Sequence, residues 1–386
     1  MVIGFLLLIV CGPIELWAFD KSAKDVVAID SNYAFIEMSD KWDFTTQDDY
    51  NYIENAIDAT EWDQIYSHVP WTYLPRYRSY RGNVIYRKKI EIKNKETINY
   101  ALFVPLHYRG AQFYLNGKMF HESRPFNEEG ISPPILGKPE LIPINSNLLF
   151  SGINSLTIRT GSLNNVGGFL GTIRFGNYQL LQKKAVQFYL YYAALAAINI
   201  FLAMYFFYLY FNRRIEKYYL YFSILALSIG LFIIGYKGIV LWIVDLQFAY
   251  YFTTYFGAFF ATLMMVLFLN SFLSVHSRIW NVFFISGIIF FSLCFIIEYL
   301  LTQKVEIFVT YLYNLFLMLS GIAIIYGSIR AYMAIRLDTQ YAKPIFIGVF
   351  LFLVTHLISI FSFLDILPLP ELTAEGFFIM ANIFAY

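Results

Sequence analysis

From Gln187 to Tyr386 the chain is a series of long apolar runs parted by short polar breaks. The first run, QFYLYYAALAAINIFLAMYFFYLYF (Gln187–Phe211), holds no charge. Five more follow at 218–236, 248–270, 280–301, 308–333 and 344–364, and a seventh opens at Thr373, with the chain ending inside it. A bilayer core takes about 20 mostly apolar residues per helix. In lipid, only helices or closed barrels satisfy every backbone group, and long runs without alternation are helices rather than barrel strands. The pattern predicts an all-α polytopic membrane bundle over 187–386, with six complete spans and a truncated seventh.

Between Asp20 and Leu181 the period changes to two. In VIYRKKIEI, Val84, Tyr86, Ile90 and Ile92 share one face, Arg87, Lys89 and Glu91 point the other way, and Lys88 breaks the pattern. INYALFV (98–104) and AQFYLNGKMF (111–120) alternate in the same way, and Asn116-Gly117 is a strong hairpin signal because both residues tolerate positive φ. SLTIR (Ser155–Arg159) and GTIRF (Gly171–Phe175) are two further short strands. Proline and glycine breaks part them, from Pro70 and Gly82 to Gly137-Lys138-Pro139 and Gly152. Many short strands with turns between them predict an all-β sandwich or jelly roll. A short helix is expected near Asp48–Ala59.

The amino terminus, VIGFLLLIV followed by Gly12-Pro13, is too short to span and reads as a signal peptide over 1–18, cleaved after Ala18. Val10 stands before Cys11 where a lipoprotein signal needs a small residue, which argues against lipidation. Loop charge gives orientation independently. With residues 20–181 outside, the inner loops carry Arg213, Arg214, Lys217, Arg278, Arg330, Arg336 and Lys343. The outer set is Lys237 and Lys304, with Lys183-Lys184 ahead of the first span as contrary charge. The excess lies inside, placing the β-domain on the outer side of the membrane and the carboxyl end inside.

Composition agrees with this division. The chain is 58% hydrophobic and 14% charged, with a mean hydropathy of +0.54, which is the membrane class. A net charge of +1 gives no reason to invoke nucleic acid. The two cysteines, Cys11 and Cys294, build neither a disulfide framework nor a metal site. No two of the five histidines stand four apart, and no phosphate-binding loop or nucleophile elbow occurs. No cofactor, metal or catalytic residue is expected.

The order of certain residues carries a resemblance. Trp42-Asp43-Phe44, Glu61-Trp62 and Pro70-Trp71 are followed by Ile85-Tyr86-Arg87-Lys88-Lys89-Ile90 and Tyr114-Leu115-Asn116-Gly117. Asn154-Ser155-Leu156-Thr157-Ile158-Arg159 and Gly167-Gly168-Phe169-Leu170-Gly171 complete the series. This resembles the galactose-binding-type jelly roll found as the sugar-binding domain of some glycosidases. Joined to seven spans, it is similar to the bacterial seven-transmembrane receptors with diverse intracellular signalling modules. The resemblance implies an extracytoplasmic ligand-binding domain, a signalling bundle, and a cytoplasmic effector such as a cyclase or kinase that this chain does not hold.

Trp71, Tyr108, Arg109 and Arg124 are the candidate ligand-binding residues. An aromatic face with nearby donors suits a carbohydrate or related small metabolite. With 32 Tyr and 40 Phe in the chain, packing is the commoner fate of any one aromatic. In the spans, Asn199, Glu298, Asn314 and His356 are the polar residues of interest, most simply as inter-helix hydrogen bonds or interfacial groups. The expected partners are the lipid bilayer, a small ligand, a cytoplasmic signalling module and a second copy of the chain. A membrane-anchored carbohydrate-binding or adhesion protein without signalling is the alternative. A transporter is less favoured, because the two halves of the bundle show no repeat.

Overall fold

The computed structural model describes residues 26–29, 35–54, 62–67, 71, 74–77, 79–93, 99–132, 136–163, 166–213, 216–244, 246–274, 277–302, 308, 312–337, 342–363, 376, 379–381 and 383–384. The expected signal peptide and most of the expected seventh span lie outside them. The chain forms two compact units that divide between Leu190 and Tyr191.

Among the described residues the first unit holds fifteen strands. They are β1 Val26–Ile29, β2 Phe35–Glu37, β3 Lys41–Thr45, β4 Asp63–Tyr66, β5 Val84–Ile92, β6 Tyr100–Val104, β7 Leu106–His107 and β8 Ala111–Leu115. The rest are β9 Lys118–Glu122, β10 Glu140–Pro143, β11 Gly152–Thr160, β12 Ser162–Leu163, β13 Val166–Gly167, β14 Phe169–Leu170 and β15 Arg174–Asn177. The larger sheet runs β4-β3-β5-β11-β8-β9, with β1 parallel to β5, and the smaller runs β10-β6-β15-β2. β3 covers Ile85–Arg87 of β5 and β1 covers Lys89–Ile92.

Alternate residues of the two sheets meet in one core. Trp42, Phe44, Tyr86, Phe113, Leu156 and Ile158 come from the larger sheet; Tyr100, Leu102, Val104, Ile142 and Phe175 come from the smaller. This is the sandwich that the period of two predicts. Lys88 stands in the same alternation as Tyr86 and Ile90 and is 4% exposed. A charge there requires partners, and its Nζ donates to Asp40 Oδ2 at 2.7 Å and to the Lys41 carbonyl at 2.8 Å.

The opposite face of β5 is covered as well. The one-turn helix α1, Asn51–Glu54, sets Ile53 against Ile85 and Tyr114, with Tyr52 and Trp62 beside them. Arg87 lies 4.4 Å over the Trp62 ring and donates to the Tyr52 carbonyl. Next to this patch Arg159, 5% exposed, grips Asp48 through Nε (2.5 Å) and Nη2 (2.6 Å). Its guanidinium also donates to the Gly130 carbonyl at 2.7 Å and Gln112 Oε1 at 3.1 Å. Asn83 Nδ2 reaches both Asp48 (2.8 Å) and the Gly130 carbonyl (2.9 Å). Burial alone would raise the Asp48 carboxyl, but the hydrogen bonds of Arg159 and Asn83 and the Arg159 charge outweigh it and hold the group below the usual aspartate value.

The turn residues behave as their chemistry dictates. Asn116 and Gly117 have φ of 52° and 79°, and the hairpin they close joins β8 to β9. The Asn116 side chain donates to Asn154 Oδ1 at 2.9 Å and accepts from the Ser155 amide at 2.8 Å. The two asparagines of the recurrent motifs thus hold the hairpin to the start of β11. The strand expected over Gly171–Phe175 is displaced to Arg174–Asn177. Gly171, at φ +125°, ends β14 first.

The second unit is helical. Helix α2, Tyr178–Asn212, has 35 residues, or about 52 Å at 1.5 Å per residue. It starts at Tyr178, ahead of the expected Gln187. Its first turns set Leu181 and Ala185 on Ala101 and Phe103 of β6 within the β-unit. Then come α3 Lys217–Tyr236, the short α4 Val240–Ile243, α5 Gln247–Phe272, α6 Arg278–Thr302, α7 Tyr313–Arg336 and α8 Ala342–Phe363. Five described helices are long and apolar enough to cross a bilayer. In the most apolar stretch of α5, 72% of residues are buried, against 22% in α2 and in α6. Helix α5 is therefore the centre of the bundle, and α2 and α6 present their apolar surface outward. Inside α5, Phe252–Phe256 form a π turn. It lies where α3 and α5 touch backbone to backbone: a Cβ on Gly257 would fall 2.7 Å from the Phe232 amide nitrogen, and one on Gly235 2.7 Å from that of Thr254. Small residues at a helix interface allow such a close approach.

Removing one partner of a buried ion pair leaves the other uncompensated. Asp48 keeps a quarter of its side-chain surface, so Asp48→Ala is expected to destabilise the β-unit by about 3 kcal/mol, the low end of the range for such pairs. Denaturant unfolding followed by tryptophan fluorescence measures it. A loss below about 1 kcal/mol would show that the Arg159 network is not a stability element.

Candidate functional site

The segment 161–169 gathers the residues of interest. Ser162–Leu163 pair with Val166–Gly167 as a small hairpin, and Phe169–Leu170 then pair with Leu106–His107. Trp71 lies on Gly167, where a Cβ would fall 2.3 Å from the indole Cζ2, so only glycine fits. The Tyr108 amide donates to the Gly168 carbonyl at 3.2 Å, and the Phe169 amide donates to that of Ser67 at 3.3 Å. Arg109 runs along Gly161, where a Cβ would fall 2.9 Å from its Cδ. Trp71, Tyr108 and Arg109 are thus brought together. Ser67 belongs with them, and sequence reasoning missed it.

Trp71 stands in the core rather than on a loop surface. It has no exposed area, and its ring centroid is 5.9 Å from that of Phe44 and 6.1 Å from that of Tyr86. Its indole Nε1 is buried without a hydrogen-bond partner among the described residues, and the same holds for Ser67 Oγ and Arg109 Nε. Unmet buried donors are rare because each forfeits its hydration. Burial lowers the Arg109 pKa from its ordinary value. The other arginines resolved nearby have partners: Arg159 holds Asp48, Arg174 holds Glu37, and Arg76 holds Asp63.

Beside this hairpin His107 is fully buried. Its Nδ1 is 3.1 Å from the Pro105 carbonyl and its Nε2 2.9 Å from Ser123 Oγ. A carbonyl can only accept, so Nδ1 carries the proton and Nε2 accepts from the serine. Burial, assisted by the positive charge of Arg124, pulls the imidazole down to about 4 against the smaller upward effect of the Pro105 bond. Ser123 Oγ also takes the Ala111 amide at 2.9 Å, which sets Arg124, the next residue, at the same end of the sheet. Arg124 is partly exposed.

Two other features are weaker. A groove of about 450 Å³ beside β3 and β4 is lined by Thr45, Gln47, Asp63, Arg76, Tyr77 and Tyr80. Its arginine is already matched by Asp63 at 2.8 Å. Among the described residues no group of three or more His, Cys, Asp or Glu could hold a metal ion. In the bundle, Asn199 is fully buried and donates to the Leu195 carbonyl at 2.9 Å. Glu298 accepts from the Phe308 amide at 2.7 Å. The side chains of Asn314 and His356 lie outside the described residues. A polar link that the sequence did not suggest joins three helices: Tyr326 donates to Asn270 Oδ1 at 2.8 Å, and Asn270 Nδ2 donates to Asn281 Oδ1 at 2.5 Å.

A β-sandwich followed by apolar helices of spanning length defines a membrane protein with a folded amino-terminal β-unit. The model of the 7TM diverse intracellular signalling family matches residues 188–385, and the chain belongs to that family. No curated protein matches it. Among solved structures, it is similar to a calcium-binding mutant of Bacteroides uniformis beta-glucuronidase 2, at 18% identity and a TM-score of 0.30 over 36% of this chain and 17% of that one. A glycosyl hydrolase family 2 member from Bacteroides cellulosilyticus gives 15% identity and a TM-score of 0.31, covering 37% and 20%. A Ruminococcus gnavus β-glucuronidase gives 14% and 0.29, covering 40% and 31%. The chain thus spans less than a third of the length of each of these proteins.

The neutral, buried imidazole sets a pH dependence. Free histidine titrates near 6.5 and His107 near 4. The folded pKa is the lower one, so the contribution is complete above pH about 6.5 and is lost as pH falls towards 4, by up to about 3 kcal/mol. His107→Gln should flatten this part of the stability profile relative to the wild type. Identical slopes between pH 7 and 4.5 would show that another group carries it.

Proposed function

We propose that this chain is the sensing and membrane-spanning part of a bacterial receptor. The β-unit lies outside the cytoplasmic membrane. It takes a small ligand of the carbohydrate or related-metabolite class at the hairpin where Trp71, Tyr108 and Arg109 meet, with Arg124 on its rim. The bundle passes the event to a cytoplasmic signalling module. The family membership over 188–385 carries the receptor role. The excess of Lys and Arg in the first, third and fifth loops supports the orientation.

Helix α2 supports the route. It leaves β15 without a linker, sets its first turns on β6, and continues to Asn212 as one helix. A stiff helix transmits a displacement that a flexible Gly/Ser linker would absorb. Ligand shifts the bundle only as far as its affinities for the two states differ. No catalytic step is assigned to this chain.

Two measurements on the full chain in nanodiscs test the reading. In a thermal-shift screen of neutral and acidic sugars, a ligand at a hundred times its Kd stabilises by about 2.7 kcal/mol. Arg109→Ala should abolish the shift. Spin labels at positions 212 and 274, on a background without native cysteines, should change separation when that ligand is added. Two glycines inserted after Val186 should preserve binding and remove the change. A ligand that binds while the labels stay still in the wild type would make this a binding protein without signalling.

A further inference from the structure

We propose that the hairpin site recognises an anionic oxygen group, a carboxylate, sulfate or phosphate, held between Arg109, Trp71 and Ser67. The inference rests on the β-unit being the ligand-binding part and adds the charge of the ligand. Trp71 Nε1 and Arg109 Nε can only donate, and a serine hydroxyl can donate. All three atoms are buried and none has an acceptor among the described residues. Ser67 and Trp71 have no exposed area at all.

The three lie on one short stretch of chain. Gly167 carries the Trp71 ring, Phe169 is bonded to Ser67, and Gly161, next to the partner of Gly167 in the small hairpin, carries Arg109. The missing partner must therefore be rich in acceptors. A neutral sugar hydroxyl could satisfy one donor, but it would leave the cation as it stands. Among the described residues no acid compensates Arg109, in contrast to Arg76, Arg159 and Arg174, each of which meets a carboxylate at 2.8 Å or less. A guanidinium that is partly buried and unmatched is stabilised most by an anion, because its planar donors fit two oxygens of one group. Burial also lowers its pKa with no carboxylate opposing the effect. The inference needs no metal and no chemistry: it rests on three buried donors that share one stretch of chain and lack acceptors among the described residues.

The test uses the full chain in detergent micelles, labelled with 5-fluorotryptophan, with the Trp71 fluorine resonance assigned through Trp71→Phe. Acetate, inorganic sulfate and inorganic phosphate are titrated separately, with galactose as the neutral comparison. At least one anion should move the Trp71 resonance saturably, while galactose at the same concentration leaves it in place. The anion that acts distinguishes a carboxylate from a tetrahedral oxyanion. Arg109→Gln should weaken the apparent affinity at least tenfold, and Arg109→Lys should fall between the two. The Trp42 resonance, in the core of the same sandwich, reports that each variant is folded. No saturable shift with any of the three anions overturns the inference, as does a shift that survives Arg109→Gln in a folded protein. A response to galactose alone also overturns it, yet leaves the receptor reading standing with a neutral ligand.

Discussion

A bilayer offers no hydrogen-bond partner to a backbone amide, and that constraint fixes how this chain is divided. Segments that cross the lipid must be helical, while the strands of the sandwich pair with one another outside it. The change occurs within a single peptide step, from Asn177 at the end of β15 to Tyr178 at the start of α2. The first turns of α2 still belong to the sandwich, where Leu181 and Ala185 cover the smaller sheet. The same helix thus closes one hydrophobic core and opens the other.

Inside the β-unit the constraint recurs in milder form. Both faces of β5 are covered, so polar residues on or beside it need partners within the protein. Lys88 finds Asp40, Arg87 finds Trp62 and Tyr52, and Arg159 finds Asp48 and Gly130. Arg109 is the contrast. Among the described residues the same burial acts on it without a matching carboxylate, and the proposed anion site rests on that difference from the Arg159 network.

The architecture was legible because periodicity is set by where side chains must go. The apolar runs mark the helices to within a few residues except at α2, where Lys183-Lys184 looked like a boundary. A helix needs no apolar residues until it reaches lipid, so the pair sits on its surface. The hairpin at Asn116-Gly117 was legible because its backbone tolerates few other residues. What the pattern could not show was the second covered face. Arg87 alternates as a solvent residue does, and only α1 with Trp62 makes it a buried one. The site was half legible for the same reason. Trp71 and Arg109 stand out by residue type, yet the burial of Trp71 and the silent part of Ser67 depend on contacts between segments far apart in the chain. Gly161 and Gly167 are the clearances through which Arg109 and Trp71 pass.

The pairing of β2 with β15 has a consequence for biogenesis. Phe35 to Glu37 lie against Arg174 to Gly176, so the two ends of the β-unit are neighbours in the smaller sheet. That sheet is complete only when its last strand has been synthesised, and the next residue begins α2. The ribosome therefore delivers the closing strand and the first membrane helix together. The sandwich finishes folding as a body already joined at its carboxyl end to a membrane helix.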